Sequence, residues 1–293
     1  MAQPRNASMN SSQVGTSASN NNDWLNISNS NLNRKQKNIV QSCFSLYYTN
    51  AHSIANKFEE IDATIFNYNP DFIFITETWL SPFYDDTIVA HNHYDVFRKD
   101  RCLHSGGGVI IYSHVTMNNR QIQLRTEFAH CDIVAGINNY FIFMCIYRPP
   151  SKLLSNLLAS LNEVCSALHE IYIKCTNQTP IIITGDFNLP ELFNKSHCMY
   201  PYYATLYDLI KSINLIQIVN FNTRMNNILD LIFISKGSKY LINTAPNLST
   251  SDHVSINVKL NTLTQCIYKD SNDQTSNNCC CVEYPRWKYS NIN

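Results

Sequence analysis

The chain has 293 residues, 44% hydrophobic and 15% charged, with 22 basic side chains balancing 22 acidic ones. That is enough apolar material for a sizeable core, which excludes wholesale disorder, while seven glycines and ten prolines exclude collagen-like repeats. Apolar runs such as Phe141 to Tyr147 fall short of the roughly 18–20 residues of a membrane helix. The polar start has no secretory h-region, so the eleven cysteines read as intracellular thiols.

Taken in chain order, the first segment is rich in asparagine and serine. Nine Asn and seven Ser fall in the first 33 residues, too little apolar surface to offset ordering entropy, so 1–38 is expected to be disordered. Ile39 to Tyr48 reads as a strand. Ser53 to Tyr68 reads as a helix, with Ile54, Phe58, Ile61 and Ile65 on one face. Asp71 to Thr76 is a short buried strand after the turn at Asn69-Pro70, and Tyr94 to Arg98 and Val109 to Ser113 are strand-like. Gly106 to Gly108 reads as a turn feeding the second of these, and no Lys-Ser/Thr follows it as a phosphate loop would require. Ile133 to Ile137 and Tyr140 to Tyr147 form a hairpin pattern across Asn138-Asn139.

Ser151 to Ile171 is the clearest helix, because Leu154, Leu157, Leu158, Leu161, Val164, Cys165 and Leu168 repeat at helical spacing. Ile181 to Thr184 is a strand and Thr205 to Ile213 a helix. Leu229 to Ile234, Tyr240 to Thr244 and Val254 to Leu260 are strands. Irregular alternation of strands and helices over 39–260 predicts α/β layers, and 261–293 is polar again, with an aromatic, basic end. Within 39–260 there are 15 Lys/Arg against 18 Asp/Glu, so no basic stripe marks a nucleic-acid binder, although a local patch at Arg98, Lys99 and Arg101 is conceivable.

Polar residues recur where apolar strands end. Asn50 follows the first strand, Glu77 follows Phe72 to Ile75, and Asp186 and Asn188 follow Ile181 to Thr184. Asp230 lies within Leu229 to Ile234, and Asp252-His253 opens the last strand. Strand ends are where α/β folds hold their sites. Carboxylates such as Glu77, Asp186 and Asp252 suit a hard cation such as Mg²⁺. A histidine near an aspartate suggests an imidazole oriented and held charged. An amide beside a carboxylate suits holding a water while the carboxylate takes its proton. Together these are parts for phosphodiester hydrolysis. Each alone has a plainer explanation: Glu77 as a solvated cap, Asp186-Phe187-Asn188 as an Asx turn, Ser251-Asp252-His253 as a strand-entry turn, Tyr147 as a core aromatic. Trp79 reads as a packing residue, and adjacent His-Cys pairs and Cys279 to Cys281 are poor zinc geometry.

The ordered set carries a resemblance. Tyr-Thr-Asn50-Ala-His-Ser-Ile, Ile-Thr-Glu77-Thr-Trp-Leu, Gly106-Gly-Gly-Val-Ile-Ile-Tyr, Tyr147-Arg-Pro-Pro, Thr-Gly-Asp186-Phe-Asn188-Leu-Pro, Asn-Ile-Leu-Asp230-Leu-Ile-Phe and Ser251-Asp252-His253 resemble the endonuclease/exonuclease/phosphatase superfamily over about 39–260. They most resemble the apurinic-endonuclease-like domain of non-LTR retrotransposons of the Jockey and chicken-repeat type. Two departures from repair enzymes, His52 where those carry an acid and Pro149-Pro150 where those carry an asparagine, suit the retrotransposon branch.

This resemblance implies a four-layered α/β sandwich, two packed mixed sheets flanked by helices, with the site at one end. It implies that Glu77 binds Mg²⁺ (or Mn²⁺) assisted by Asn50, that Asp186 activates water positioned by Asn188, and that His253, paired with Asp230, contacts the scissile phosphate. Tyr147 would orient the phosphate, and Asp252 would hold the metal or its waters. The implied activity is a DNA endonuclease that nicks one strand and leaves a 3′-hydroxyl. Its expected setting is a monomer acting in the nucleus after cytoplasmic synthesis, with no membrane partner. The 261–293 tail then resembles a linker toward a reverse transcriptase that 293 residues leave no room for. The competing expectations are a phosphoesterase of the same superfamily with another substrate, and an inactive remnant co-opted to bind DNA or protein. Target preference would reside in loops near Tyr84 to Tyr94, Glu191 to Tyr203 and Arg224 to Asn227.

Overall fold

The computed structural model describes residues 39–101, 106–174, 179–192 and 201–265. The predicted disorder of 1–38 and the tail beyond 265 lie outside them. The strands are β1 Ile39–Asn50, β2 Phe72–Thr76, β3 Tyr94–Lys99, β4 Val109–His114, β5 Arg120–Gln121, β6 Asp132–Ile137, β7 Ile142–Tyr147, β8 Ile181–Asp186, β9 Leu215–Gln217, β10 Asp230–Ser235, β11 Lys239–Ala245 and β12 Ser255–Gln265. The helices are α1 Phe58–Tyr68, α2 Asp86–Val89, α3 Leu154–Lys174 and α4 Pro201–Ser212. Two six-stranded sheets result, in the orders β11-β12-β1-β2-β4-β3 and β5-β6-β7-β8-β10-β9. Both are mixed: β1–β2 and β7–β8 are parallel and the other pairs antiparallel.

Side-chain alternation along the strands explains the layering. Successive residues of a strand point to opposite faces. In the first sheet Leu46, Tyr48, Phe72, Phe74 and Ile111 belong to the core shared with Phe143, Cys145, Ile182 and Ile232 of the second sheet. Their neighbours Tyr47, Ile73, Ile75, Ile110 and Tyr112 form a separate core with Ile54 and Ile61, on the side of α1. The other face of the second sheet, with Ile133, Met144, Ile146, Ile183 and Leu231, packs on Leu161, Val164, Leu168 and Ile171 of α3 and on Leu206 and Ile210 of α4. Strands buried on both faces read as continuous apolar runs. This is why Phe72–Thr76, Ile142–Tyr147 and Ile181–Asp186 were legible as strands without polar alternation.

Some boundaries move. The first helix starts at Phe58, not Ser53, because His52 (φ 46°) and Ser53 (φ 81°) are left-handed and the buried Lys57 ammonium donates to the Ala51 carbonyl. On α3, Leu154 and Leu158 are exposed although they fit the helical repeat; the buried stripe begins at Ser160. Three elements, β5, β9 and α2, have only two to four residues, too few for a periodic signal. The Gly106 to Gly108 turn is as expected. Gly107 and Gly108 have φ near +75° and +84°, and their carbonyls accept from Trp79 and Thr78. A Cβ on Gly108 would lie 2.4 Å from Thr78 Oγ1, so glycine is required for this approach.

Candidate active site

Strand register gathers the polar residues at one end of the sandwich. Asn50, the last residue of β1, is opposite Thr76, the last of β2, and Glu77 follows it. In the second sheet Tyr147 is opposite Asp186 across the parallel β7–β8 pair, and Asp186 is opposite Asp230 across the antiparallel β8–β10 pair. His253 precedes β12 by two residues, and its backbone N–H donates to Ser251 Oγ (3.2 Å), which in turn donates to the Asn50 carbonyl (2.5 Å). Parity carries the rest: Tyr48 and Asn50 share the inward face of β1 with Leu46.

Asp186, Asp230 and His253 each offer a ligand atom within 4.8 Å of the others, and all three are buried. Asp230 is fully buried and doubly held. Its Oδ2 lies 2.7 Å from His253 Nδ1, and its Oδ1 accepts from the Tyr48 hydroxyl at 2.6 Å. The Tyr48 oxygen also sits 3.0 Å from Thr76 Oγ1. Thr223 Oγ1 accepts from the Leu229 and Asp230 amides, fixing the start of β10. Asp186 Oδ1 accepts from the Asn188 amide (3.0 Å) and Oδ2 from Asn50 Nδ2 (3.0 Å). The same Asn50 nitrogen donates to Glu77 Oε1 (3.0 Å), while its Oδ1 accepts from the His52 amide. Asn50 therefore bridges two carboxylates through its N–H side.

The electrostatics follow from burial and crowding. Burial, then the neighbouring Asp230 charge, pushes the Asp186 proton affinity well above the ordinary carboxylate range, against the opposing pull of His253. Burial opposes charge on His253, but the hydrogen bond and charge of Asp230, with Asp186 behind them, outweigh it and raise its pKa. Tyr48 and Tyr147 are held in their protonated forms, chiefly by burial and further by the carboxylates around them. Against the three carboxylates stand the His253 imidazole and, 3.7 Å from Glu77 Oε2, that of His52.

Glu77 has a left-handed backbone (φ 51°), as do Trp79 (φ 56°) and Asn188 (φ 49°). Non-glycine residues in this region carry strain that the surroundings must over-determine. Here the surroundings are the Trp79 indole, whose Nε1 donates to Glu77 Oε2 (3.2 Å), and the His52 ring, 4.4 Å from the Trp79 ring. Trp79 is 39% exposed; it packs against the His52 ring, as a packing residue would, and its indole N–H also reaches Glu77 from the rim. The apolar residue that packs there is Leu80.

The remaining residues singled out from the sequence are placed as follows. Tyr147 is buried at the end of β7 with the Arg101 guanidinium 5.3 Å from its ring centre. Asn188 donates through Nδ2 to the Arg148 carbonyl (3.0 Å). Asp252 stands outside the buried cluster and half exposed. Its Oδ2 accepts from Arg224 Nε (2.8 Å) and its Oδ1 is 4.0 Å from His253 Nε2. The basic patch suggested at Arg98, Lys99 and Arg101 is largely neutralised, since Arg98 pairs with Asp86 and Asp100, and Arg101 with Asp132. Tyr48, Thr223, Ser251 and Arg148 were not foreseen as site residues. Tyr48 carried a signal in being in phase with Asn50, and Arg148 and Ser251 in standing inside the quoted Tyr147-Arg-Pro-Pro and Ser251-Asp252-His253 runs.

Residues 141–257 match the family model described as endonuclease–reverse transcriptase. No curated protein matches the chain. Among solved structures, AP endonuclease LMAP from Leishmania major is similar with a TM-score of 0.58 and 11% identity, over 75% of this chain and 88% of that one. The endonuclease domain of TRAS1, a telomere-specific non-LTR retrotransposon, is similar with a TM-score of 0.53 and 12% identity, over 75% and 98%. The 3′ phosphatase NExo from Neisseria, bound to a product DNA hairpin, gives 0.55 and 11%, over 73% and 98%.

Proposed function

We propose that the protein, whose residues 141–257 match the endonuclease–reverse transcriptase family model and whose described fold is similar to those of AP endonuclease LMAP and the TRAS1 endonuclease domain, is a divalent-metal-dependent DNA endonuclease of retrotransposon origin. It nicks one strand by hydrolysis and leaves a 3′-hydroxyl. The observation that carries this is the convergence of Asp186, Asp230 and His253 within 4.8 Å, joined to Glu77 through Asn50.

The donor set fits a hard cation. Glu77 and Asp186 present carboxylate oxygens tied to one amide, and their accumulated negative charge exceeds what His253 offsets. Glu77 would hold Mg²⁺ (or Mn²⁺), with Asn50 orienting Oε1, Trp79 orienting Oε2 and Asp252 ordering waters at the rim. When bound, the ion supplies positive charge to the phosphate oxygens.

Asp186 takes the proton of the attacking water as that oxygen bonds to phosphorus, and its raised proton affinity suits a base at neutral pH. Asn188 positions the water. The bond from phosphorus to the 3′-oxygen breaks, and that oxygen leaves as the alkoxide and takes a proton from solvent to become the 3′-hydroxyl. His253, kept charged and oriented by Asp230, faces the phosphate and offsets its growing negative charge. Tyr147 keeps its proton and donates to a phosphate oxygen. The same proposal includes a monomer working in the nucleus; among the described residues no helix is long and apolar enough to cross a membrane.

The test is conversion of supercoiled plasmid to open circle with Mg²⁺, with EDTA, and with Asp186→Ala and His253→Ala beside wild type. Nicking by wild type alone, and only with metal, is expected. Absence of nicking by folded wild type would overturn the DNA substrate and point to another phosphoester or to a binding module.

A further inference from the structure

Among the described residues Arg148 heads the fully buried side chains by size, 2% exposed, and forms no ion pair with a described carboxylate. Its guanidinium instead divides among three neutral acceptors. Nε donates to the Phe187 carbonyl (2.6 Å), Nη2 to the Asn188 carbonyl (2.7 Å) and Nη1 to Ser160 Oγ on α3 (3.2 Å). Its backbone takes part as well. The Arg148 N–H donates to the Asp186 carbonyl (2.9 Å), and the Arg148 carbonyl accepts from Asn188 Nδ2 (3.0 Å). One residue thus makes four hydrogen bonds to the three-residue run Asp186-Phe187-Asn188, at least one to each member. Ser160 is itself oriented, since its hydroxyl donates to the Leu157 carbonyl and so presents a lone pair to Arg148.

A buried charge whose hydrogen bonds go only to carbonyls and a hydroxyl is costly, even with the Asp186 charge favouring it. What those bonds hold here is a run containing the left-handed Asn188, whose own amide is turned by the same partner. The planar guanidinium places separate donors on two successive carbonyls and a third on another element, which a lysine ammonium does not reproduce. We propose that Arg148 is a positioning residue for the hydrolysis. It clamps the run from Asp186 to Asn188 against α3, so that the Asp186 carboxylate faces the cluster while the Asn188 amide faces the water. This rests on the parts given above to Asp186 and Asn188.

The test uses the full chain as wild type, Arg148→Lys, Ser160→Ala, Asn188→Ala and the two doubles with Asn188→Ala, each checked by thermal unfolding. Plasmid nicking is followed at saturating Mg²⁺. Arg148→Lys is expected to lower kcat about 10²-fold, the scale of a misplaced catalytic group, with KM nearly unchanged. The loss in Arg148→Lys/Asn188→Ala should fall at least about tenfold short of the product of the single losses, because both act through one run. Multiplicative losses, or a loss confined to KM, would overturn the proposal and leave Arg148 as a core anchor. If Arg148→Lys does not fold, Ser160→Ala decides: its smaller kcat loss must vanish in the Asn188→Ala background. Should wild type not nick DNA at all, the endonuclease proposal fails separately. The clamp is then judged by hydrogen exchange of the Asn188 side-chain amide, which Ser160→Ala must accelerate; unchanged exchange refutes it.

Discussion

Tyr48→Phe isolates one hydrogen bond beneath the site. The hydroxyl is fully buried and donates to Asp230 Oδ1 at 2.6 Å, with Thr76 Oγ1 at 3.0 Å as its second neighbour. Phenylalanine keeps the ring in the intersheet core, so the perturbation is the lost bond and not a packing hole of side-chain size. A hydrogen bond to a charged group contributes about 1.5–3 kcal/mol net. For a domain of this size each kcal/mol moves Tm by about 2–4 °C, so a fall of about 3–12 °C is expected. The denaturant slope should stay constant, because the surface exposed on unfolding does not change. Burial, reinforced by Asp230 and Asp186, keeps the tyrosine protonated far into alkali, so the effect should persist across the alkaline range in which the protein stays folded. Plasmid nicking should survive, since Asp230 still holds His253 through its other oxygen. Urea unfolding and nicking measured side by side check this. A Tm change below about 1 °C would refute the view that Asp230 Oδ1 depends on Tyr48, and lost nicking at full stability would place Tyr48 in the chemistry.

Asp186→Asn should reduce nicking about 10²–10⁴-fold, the usual contribution of a general base. It should also flatten a pH slope in stability. Because burial and Asp230 raise the folded-state affinity of Asp186 for its proton, the folded protein binds that proton more tightly than the unfolded chain. Metal-free stability is then lost as pH rises from the ordinary carboxylate range through the folded-state value. The variant should be the more stable protein at neutral pH by metal-free urea unfolding, and equal stability would contradict the charge crowding. Trp79→Phe removes the 3.2 Å bond to Glu77 Oε2 and should weaken Mg²⁺ binding by calorimetry about 10–100-fold, as loss of ligand-orienting partners does; unchanged affinity would rule the indole out as an orienting group. Gly185→Ala would set a Cβ 1.8 Å from the Ile146 carbonyl oxygen in the adjacent strand, so soluble expression or Tm should drop sharply, and a wild-type melt would show that β7 and β8 can part.

The sequence made legible those features that repeat locally. Continuous apolar runs marked the doubly covered strands, and Leu161, Val164 and Leu168 marked the buried side of α3. Asn50, Glu77, Asp186 and His253 were visible because each stands at a strand end, and Asp230 because it interrupts an apolar strand; the register then brings them together. What stayed hidden depends on partners distant in the chain. Tyr48 meets Asp230 across 182 positions, and Ser251 meets Asn50 across 201, with nothing in either neighbourhood to announce the pairing. Arg148 was masked by its surroundings: before two prolines it looks like a loop residue, while only the folded β7–β8 pair turns its guanidinium under Asn188. The bond from the Trp79 indole to Glu77 was hidden too, because it depends on the left-handed backbone at both residues, which the sequence does not announce.

The site draws its parts from both halves of the folded chain. Asn50 and Glu77 belong to the early strands β1 and β2, and Asp186, Asp230 and His253 to β8, β10 and the approach to β12. β12 closes on β1 only after nearly every other described residue has been made. A ribosome that stalled between β11 and His253 would therefore release a fragment with Asn50, Glu77, Asp186 and Asp230 but without the imidazole and the closing strand. The nuclease proposed here is thus silent by construction during synthesis. For the same reason it is suited to being split between the early strands that carry Asn50 and Glu77 and the later ones that carry Asp186, Asp230 and His253, and reconstituted from two inert pieces, which would make DNA cleavage conditional on their meeting.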